Sequence, residues 1–276
     1  MKTYNQAPLP FQGQKRKFLK HFKEALKEFP SNAIYIDLFG GSGLLSQTVK
    51  SVYLDARVVW NDFDNYTKRL SNINKTNKLL ADLRIIIRNH PNGKRIIGEL
   101  RELILERLAQ EKGFIDWITL SSSLLFSAKY ITNFDELLKQ TLYNNIKQSN
   151  YNAEGYLDGV ERVQMDYKEL FNIYKGIENV VFLIDPPYLS TDTTTYTNMD
   201  YWRLADYLDI LKMLEYRSYF YFTSEKSQLI ELAQWFSENS FKKNPFEEAT
   251  TKVVQTSLNY SAKYKDIMIF KTRKIH

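Results

Sequence analysis

Apolar and polar positions follow two different periods along this chain. Over residues 14–29 the apolar side chains fall at Phe18, Leu19, Phe22, Ala25, Leu26 and Phe29. That three-to-four spacing is one face of a helix, and Pro30 stops it. Residues 33–39, Ala-Ile-Tyr-Ile-Asp-Leu-Phe, predict a strand that opens into Gly40-Gly41-Ser42-Gly43. A helix is expected from Leu44 to about Lys50, and a second short strand at 57–60 ends at Asn61-Asp62. Strand, glycine loop, helix, strand and acidic residue, in that order, open a doubly wound α/β nucleotide-binding fold.

From 66 to 158 the pattern changes. Apolar stripes at Ile97, Leu100, Ile104 and Leu108, and again from Phe114 to Phe126, are interleaved with charge. This reads as a helical insertion without a βαβ unit. Strand signals resume at 161–165, ending at Asp166, and at 180–184, Val-Val-Phe-Leu-Ile. A polar Thr-rich loop covers 190–198. Helices are expected at 201–215 and 226–237, with strands at 218–222 and 266–270. The domain boundaries that follow are 1–65 with 159–276, and 66–158.

Composition narrows the chemistry. A chain of 276 residues, 43% hydrophobic, suffices for one substantial α/β domain with a smaller one. There is no cysteine and there are three scattered histidines, His21, His90 and His276. Thiolate sites, cysteine nucleophiles, histidine metal centres and Ser-His-Asp relays are therefore not expected, and no metal ligand set is assigned. A net charge of +6 favours anionic partners without identifying them. No apolar run approaches the ~20 residues of a membrane helix, so a cytoplasmic protein with no membrane partner is expected.

Two loops carry candidate chemistry. The run at 180–184 passes straight into Asp185-Pro186-Pro187-Tyr188. A carboxylate and a fixed carbonyl both accept from a planar NH2 group, the prolines stiffen the turn, and a tyrosine face suits a flat heterocycle. Upstream, Asp37-Leu38-Phe39-Gly40-Gly41-Ser42-Gly43 lets the backbone approach a ligand closely. It lacks both the Gly-x-Gly-x-x-Gly spacing and the Lys-Ser/Thr of a phosphate loop. A nucleoside without a phosphate chain fits better. Asp62 would accept from ribose hydroxyls, and Asp37 suits a cation such as a sulfonium bearing an amino-acid tail.

The ordered set resembles the Dam-type DNA adenine-N6 methyltransferases over nearly the whole chain. Pro10-Phe11-Gln12-Gly13-Gln14-Lys15-Arg16 is similar to the family's N-terminal element, Asp37 to Gly43 to its cofactor loop, and Asn61-Asp62 to its ribose-binding acid. Met165-Asp166-Tyr167 resembles the step that approaches the cofactor's adenine, and Asp185-Pro186-Pro187-Tyr188 the catalytic loop. The resemblance implies a Rossmann-like S-adenosyl-L-methionine-dependent methyltransferase fold, α/β with a mixed, mostly parallel sheet and a mainly helical target-recognition insertion. It implies S-adenosyl-L-methionine bound by Phe11, Lys15, Asp37, Phe39, Gly40, Gly41, Ser42, Gly43, Asp62, Asp166, Tyr167 and Asp185. Catalysis would fall to Asp185 and Pro186, which orient the amine, with Pro187 stiffening the turn and Tyr188 stacking on the base. The insertion departs from the family's usual wording, reading Ser127-Ala128-Lys129-Tyr130, so no recognition sequence carries over.

Double-stranded DNA is then the expected partner, with a cognate restriction endonuclease another if the chain is one half of a restriction-modification pair. The host would be bacterial or a phage. Candidate phosphate contacts are Arg84, Arg88, Lys94, Arg95, Lys129, Lys242, Lys243 and Lys263, although a solvated helix face explains any one of them equally well. Two alternatives stay open: the same chemistry on RNA, and a DNA-binding relative with a decayed site. The presence together of Phe39, Asp62, Asp185 and Tyr188 speaks against the second.

Overall fold

A computed structural model of the chain describes residues 2–126, 129–187, 202–215, 217–241, 243–257 and 263–273. The first part runs through a 3-10 turn (Arg16–Phe18), α1 (Leu19–Leu26), β1 (Ile34–Asp37), α2 (Leu44–Val52) and β2 (Arg57–Asn61). Next come α3 (Tyr66–Ser71), α4 (Ile73–Ile86), β3 (Arg95–Ile96), α5 (Gly98–Ala109), α6 (Trp117–Leu124), α7 (Phe134–Leu138) and β4 (Leu142–Tyr143). The remainder holds β5 (Glu161–Val163), α8 (Tyr167–Tyr174), β6 (Val180–Ile184), α9 (Leu204–Leu214) and β7 (Ser218–Ser224). It closes with α10 (Leu229–Glu238), β8 (Thr250–Ser257) and β9 (Lys263–Lys271).

The chain divides into two compact units. One comprises Met1–Asn5, Lys15–Asp64 and Leu157–His276; the other comprises Gln6–Gln14 and Asn65–Tyr156. The short stretch 6–14 thus clusters with the helical residues rather than with its sequence neighbours.

The first unit is built on a seven-stranded sheet in the order β5-β2-β1-β6-β7-β9-β8. Five strands from β5 to β7 are parallel, and β9 runs antiparallel to both β7 and β8. This is the mixed, mostly parallel α/β sheet of a Rossmann-like fold. Period-two alternation divides each strand between two cores. Ile36, Val59, Phe182, Ile184 and Tyr221 pack with α8, α9 and α10. Tyr35, Val58, Leu183, Phe220 and Phe222 pack with α1 and α2. Both faces are covered, which is why the central strands read as continuous apolar runs.

Two expectations change. The helix expected at 14–29 is shorter, because residues 16–18 form a 3-10 turn and Phe29 reaches the core through a turn after α1. The strand β8 has no counterpart in the apolar pattern. It is an edge strand whose residues Thr250 to Val253 are exposed, so no buried face imposes alternation.

The second unit packs α4, α5, α6 and α7 around Leu80, Leu83, Ile104, Leu108, Leu120 and Leu137. A two-stranded antiparallel ribbon, β3 with β4, completes it. Ile97, counted in the apolar stripe, is exposed at the N-cap of α5. No helix among the described residues is long and apolar enough to cross a membrane.

Candidate functional site

In the sheet of the first unit β1 lies between β2 and β6, and the chain leaves it toward opposite edges. In open α/β sheets the crevice beyond the carboxyl ends of the strands at such a switch point is where ligands bind. The residues that end these strands are acidic or polar: Asp37 on β1, Asn61 and Asp62 on β2, Asp166 after β5, and Asp185 after β6.

Between β1 and β6 two carboxylates stand near one ammonium, which bonds one of them. Lys15 Nζ lies 2.7 Å from Asp185 Oδ2, and the lysine is itself buried. Asp37 is almost wholly buried, and its Oδ2 accepts from the Ser46 hydroxyl at 2.7 Å. Its Oδ1 is buried with no hydrogen-bond partner among the described residues. Burial pushes the Asp37 carboxyl up to about 7; the Ser46 hydrogen bond opposes this, and the nearby Asp185 charge adds to it. Burial also raises the Asp185 carboxyl, against the pull of Lys15. An acceptor without a donor, beside a second acid, has the chemistry to receive a cationic or N–H-bearing group.

The glycine loop carries the chain from β1 into α2. A Cβ on Gly40 would collide with the Trp60 ring and lie 2.8 Å from the Asn61 carbonyl oxygen, so only glycine fits. Gly43 caps α2 in the left-handed region at φ 75°. Phe39, half-buried, has its ring 4.8 Å from Tyr167 and 5.6 Å from Trp202. Tyr167 and Trp202 stack at 5.3 Å. These three rings form an aromatic wall next to the loop.

Between β2 and β5 the groups are matched. Asn61 Nδ2 donates to the Leu38 and Met165 carbonyls at 3.0 and 2.9 Å, and its Oδ1 accepts from Met165 N at 3.1 Å. One buried amide thus pins the ends of β1, β2 and the segment after β5. Asp62, fully buried, accepts from Arg162 Nε at 2.7 Å. Asp166 is exposed and caps α8 by accepting from Lys168 N at 2.7 Å.

The structure brings Lys15, Asp37, Phe39, the glycine loop, Asp62, Asp166, Tyr167 and Asp185 into one unit, along the carboxyl ends of neighbouring strands. Pro186 is buried and Pro187 half-buried after β6, and Tyr188 lies outside the described residues, as do the Thr-rich loop 190–198 and Lys242. Phe11 belongs to the second unit, edge-on to Tyr66 at 5.6 Å.

Among the basic candidates Arg88, Lys94, Arg95 and Lys129 are exposed in the second unit and Lys243 is exposed in the first. Only the backbone of Lys263 is described. Arg84 differs from a surface cation: its guanidinium donates to the Lys147 carbonyl at 3.0 Å and to Asn150 Oδ1 at 3.4 Å, holding a loop of its own unit. Ser46, Asn61, Arg162 and Trp202 were not among the sequence candidates. Only Asn61, polar at the end of an apolar strand, carried a local signal.

The family profile described as D12 class N6 adenine-specific DNA methyltransferase matches residues 11–253. A Haemophilus influenzae protein named "Putative methyltransferase" is 37% identical over 281 residues, spanning 98% of this chain and 93% of its own length.

Proposed function

Because the chain belongs to the D12 class N6 adenine-specific DNA methyltransferase family, we propose that it carries a methyl group from S-adenosyl-L-methionine to the exocyclic N6 of adenine in a particular duplex DNA sequence. The observation that carries this reading is the Asp185 carboxylate, held by Lys15 at the end of β6 beside a buried Asp37 with a free oxygen.

The residues present fit the donor. Asp37 Oδ1 is a buried acceptor in want of a donor, suited to the α-ammonium of the methionine moiety. Gly40 admits no side chain, Phe39 offers an apolar face, and Asp62, a carboxylate at the end of β2, is the kind of acceptor that ribose hydroxyls need. When bound, the cofactor supplies an electrophilic methyl on a sulfonium.

The chain's own work is on the amine. The N6 lone pair of adenine is delocalised into the ring, so the nitrogen is a weak nucleophile. Hydrogen bonds accepted by the Asp185 carboxylate and the Pro186 carbonyl favour a tetrahedral nitrogen and stabilise the positive charge that develops on it. Buried Pro186 keeps that carbonyl in place. Lys15 opposes the burial that would protonate Asp185, keeping an acceptor where one is needed. In-line positioning contributes the rest. The base must leave the duplex, at a cost of a few kcal/mol; stacking on Tyr188 would offset about 1–3 kcal/mol of it.

The direct test incubates the protein with methyl-labelled S-adenosyl-L-methionine and either duplex DNA or structured RNA, then identifies labelled nucleosides by mass spectrometry. N6-methyladenine from DNA is expected. Label confined to RNA, or to another base, would overturn the reading. Duplex affinity is expected to fall steeply with salt.

A further inference from the structure

Within the second unit, side chains from one face of α4 fold a polar loop back onto the helix. Asn77 Oδ1 accepts from the Tyr151 N–H at 2.8 Å, and its Nδ2 donates to the Tyr151 carbonyl at 2.9 Å. Two turns further along α4, Arg84 Nε donates to the Lys147 carbonyl at 3.0 Å and Nη1 to Asn150 Oδ1 at 3.4 Å. The exposed Lys147 lies along the loop, its Nζ 3.6 Å from the centre of the Tyr151 ring and 3.4 Å from the Asn150 carbonyl oxygen. This fastening brings two cations together. Burial first, and then the Arg84 charge, pushes the Lys147 ammonium below the ordinary lysine value. Acids are missing from the neighbourhood: residues 139–153 contain none, and Asp82, the one acid of α4, is held by Arg107 at 2.8 Å. Arg84 Nη2 has no hydrogen-bond partner among the described residues. A cation in the last turn of a helix is favoured by the helix dipole, which accounts for Arg84. It does not account for a second cation carried up to the first by the loop.

We propose that Lys147, backed by Arg84, is a binding site for a phosphate group, and that the backbone of duplex DNA supplies that group. The proposal rests on the duplex substrate given above and adds Lys147 to the basic candidates read from the sequence. Two like charges held together without an acid cost stability, and an oxyanion placed against them removes the repulsion. Lys147 is the exposed partner and donates to the phosphate oxygens; Arg84, held by its two loop contacts, supplies a fixed second charge. A duplex carries one negative charge per ~1.7 Å of its axis, so it is the polyanion that the activity presents to such a site. Contacts of this kind set the position of a protein on the duplex and read no base.

The test compares Lys147→Gln and Lys147→Arg with the parent protein on a mixed-sequence duplex, its affinity measured over a range of salt. Lys147 is exposed, so both variants should fold, which urea unfolding checks. Lys147→Gln should weaken binding by about three- to tenfold at moderate salt. It should also flatten the slope of log affinity against log salt by about 0.9, the loss of one phosphate contact. Lys147→Arg should keep both. A second readout follows the Lys147 side-chain carbon by NMR against pH. Duplex should move that titration upward, because an anion favours the charged lysine, and inorganic phosphate at the same phosphate concentration should not. An unchanged salt slope in Lys147→Gln, an equal loss in Lys147→Arg, or a titration that duplex leaves in place would each overturn the proposal. An equal shift with inorganic phosphate would overturn the duplex as the source of the group. Methyl transfer to DNA by the parent is measured alongside: its absence would remove the duplex reading itself, an outcome separate from failure of the Lys147 site.

Discussion

Two neighbouring gaps on the carboxyl edge of the same sheet are finished in opposite ways. Between β2 and β5, Asp62 has its own arginine and Asn61 satisfies three backbone groups. Between β1 and β6, Asp37 and Asp185 have one lysine between them, and one Asp37 oxygen has no partner among the described residues. The first gap has its acid paired with a cation. The second is short of positive charge, an arrangement that costs stability and is retained where a ligand makes up the deficit. A cation should therefore bind on the β1 side and a neutral hydrogen-bonding group on the β2 side, which is how a sulfonium amino acid and a ribose divide.

Removing Asp185 should have the largest effect. Asp185→Ala takes away an acceptor whose value appears in the transition state, and methyl transfer is expected to fall by about a thousandfold. Cofactor affinity should stay within about tenfold by isothermal titration calorimetry, since Asp37 remains. An equal loss in both measurements would erase the distinction between orienting acid and ligand-holding acid.

Asp37 is expected to act through pH. Its proton is held more tightly in the folded chain than in the unfolded one. The stability this gives is complete below the ordinary value of 3.8 and is lost as pH rises through about 7. Ligand-free protein should accordingly be penalised at about pH 8, and Asp37→Asn should recover on the order of 2–4 kcal/mol there, read from urea unfolding at acid and alkaline pH. Cofactor affinity should run the other way, weakening as pH falls below about 7, because the ionised form receives the ammonium. A pH-independent affinity in the parent protein would show that Asp37 carries no such charge.

The matched gap predicts a plainer outcome. Arg162→Met leaves the fully buried Asp62 without its guanidinium and should cost about 1–3 kcal/mol of stability. Because the reading above gives this gap the cofactor's ribose and not the reacting amine, the methyl-transfer rate at saturating cofactor should change by less than about tenfold. A large loss of rate with unchanged stability would make Arg162 part of the chemistry instead.

What was legible in the sequence and what was not divides along physical lines. The glycine loop, Asp37, Asp62 and Asp185 stand next to strand runs, where a local pattern announces a local turn. Strands buried on both faces were equally plain. The edge strand β8 was silent because solvent on its exposed residues imposes no period. Asn61 bonds Met165 across 104 positions and Arg69 bonds Asp116 across 47, and no window of sequence contains such pairs. Arg84 shows the converse case: a basic residue on a helix, read as a surface cation, also bonds the Lys147 carbonyl 63 positions away.

Ser46 offers the smallest test, and one that reads the contrast between the gaps most finely. It lies in α2, nine residues after Asp37, and its hydroxyl is the donor that favours the charged form of that carboxylate. Ser46→Ala removes one hydrogen bond to a buried acid, worth about 1–2 kcal/mol where the acceptor is ionised. The loss should fall on the charged state alone. Stability at acid pH should barely change, and the midpoint of the pH dependence of cofactor binding should move upward by about one unit. The alternative is a uniform loss of stability at every pH with the binding midpoint unmoved. That would mean Ser46 merely fills space and Asp37 is tuned by burial, the Asp185 and Lys15 charges and the Phe39 backbone. The predicted split would instead show that the Ser46 hydroxyl helps hold the β1 gap near its ionisation point, poised so that an arriving cation completes what the chain leaves unfinished.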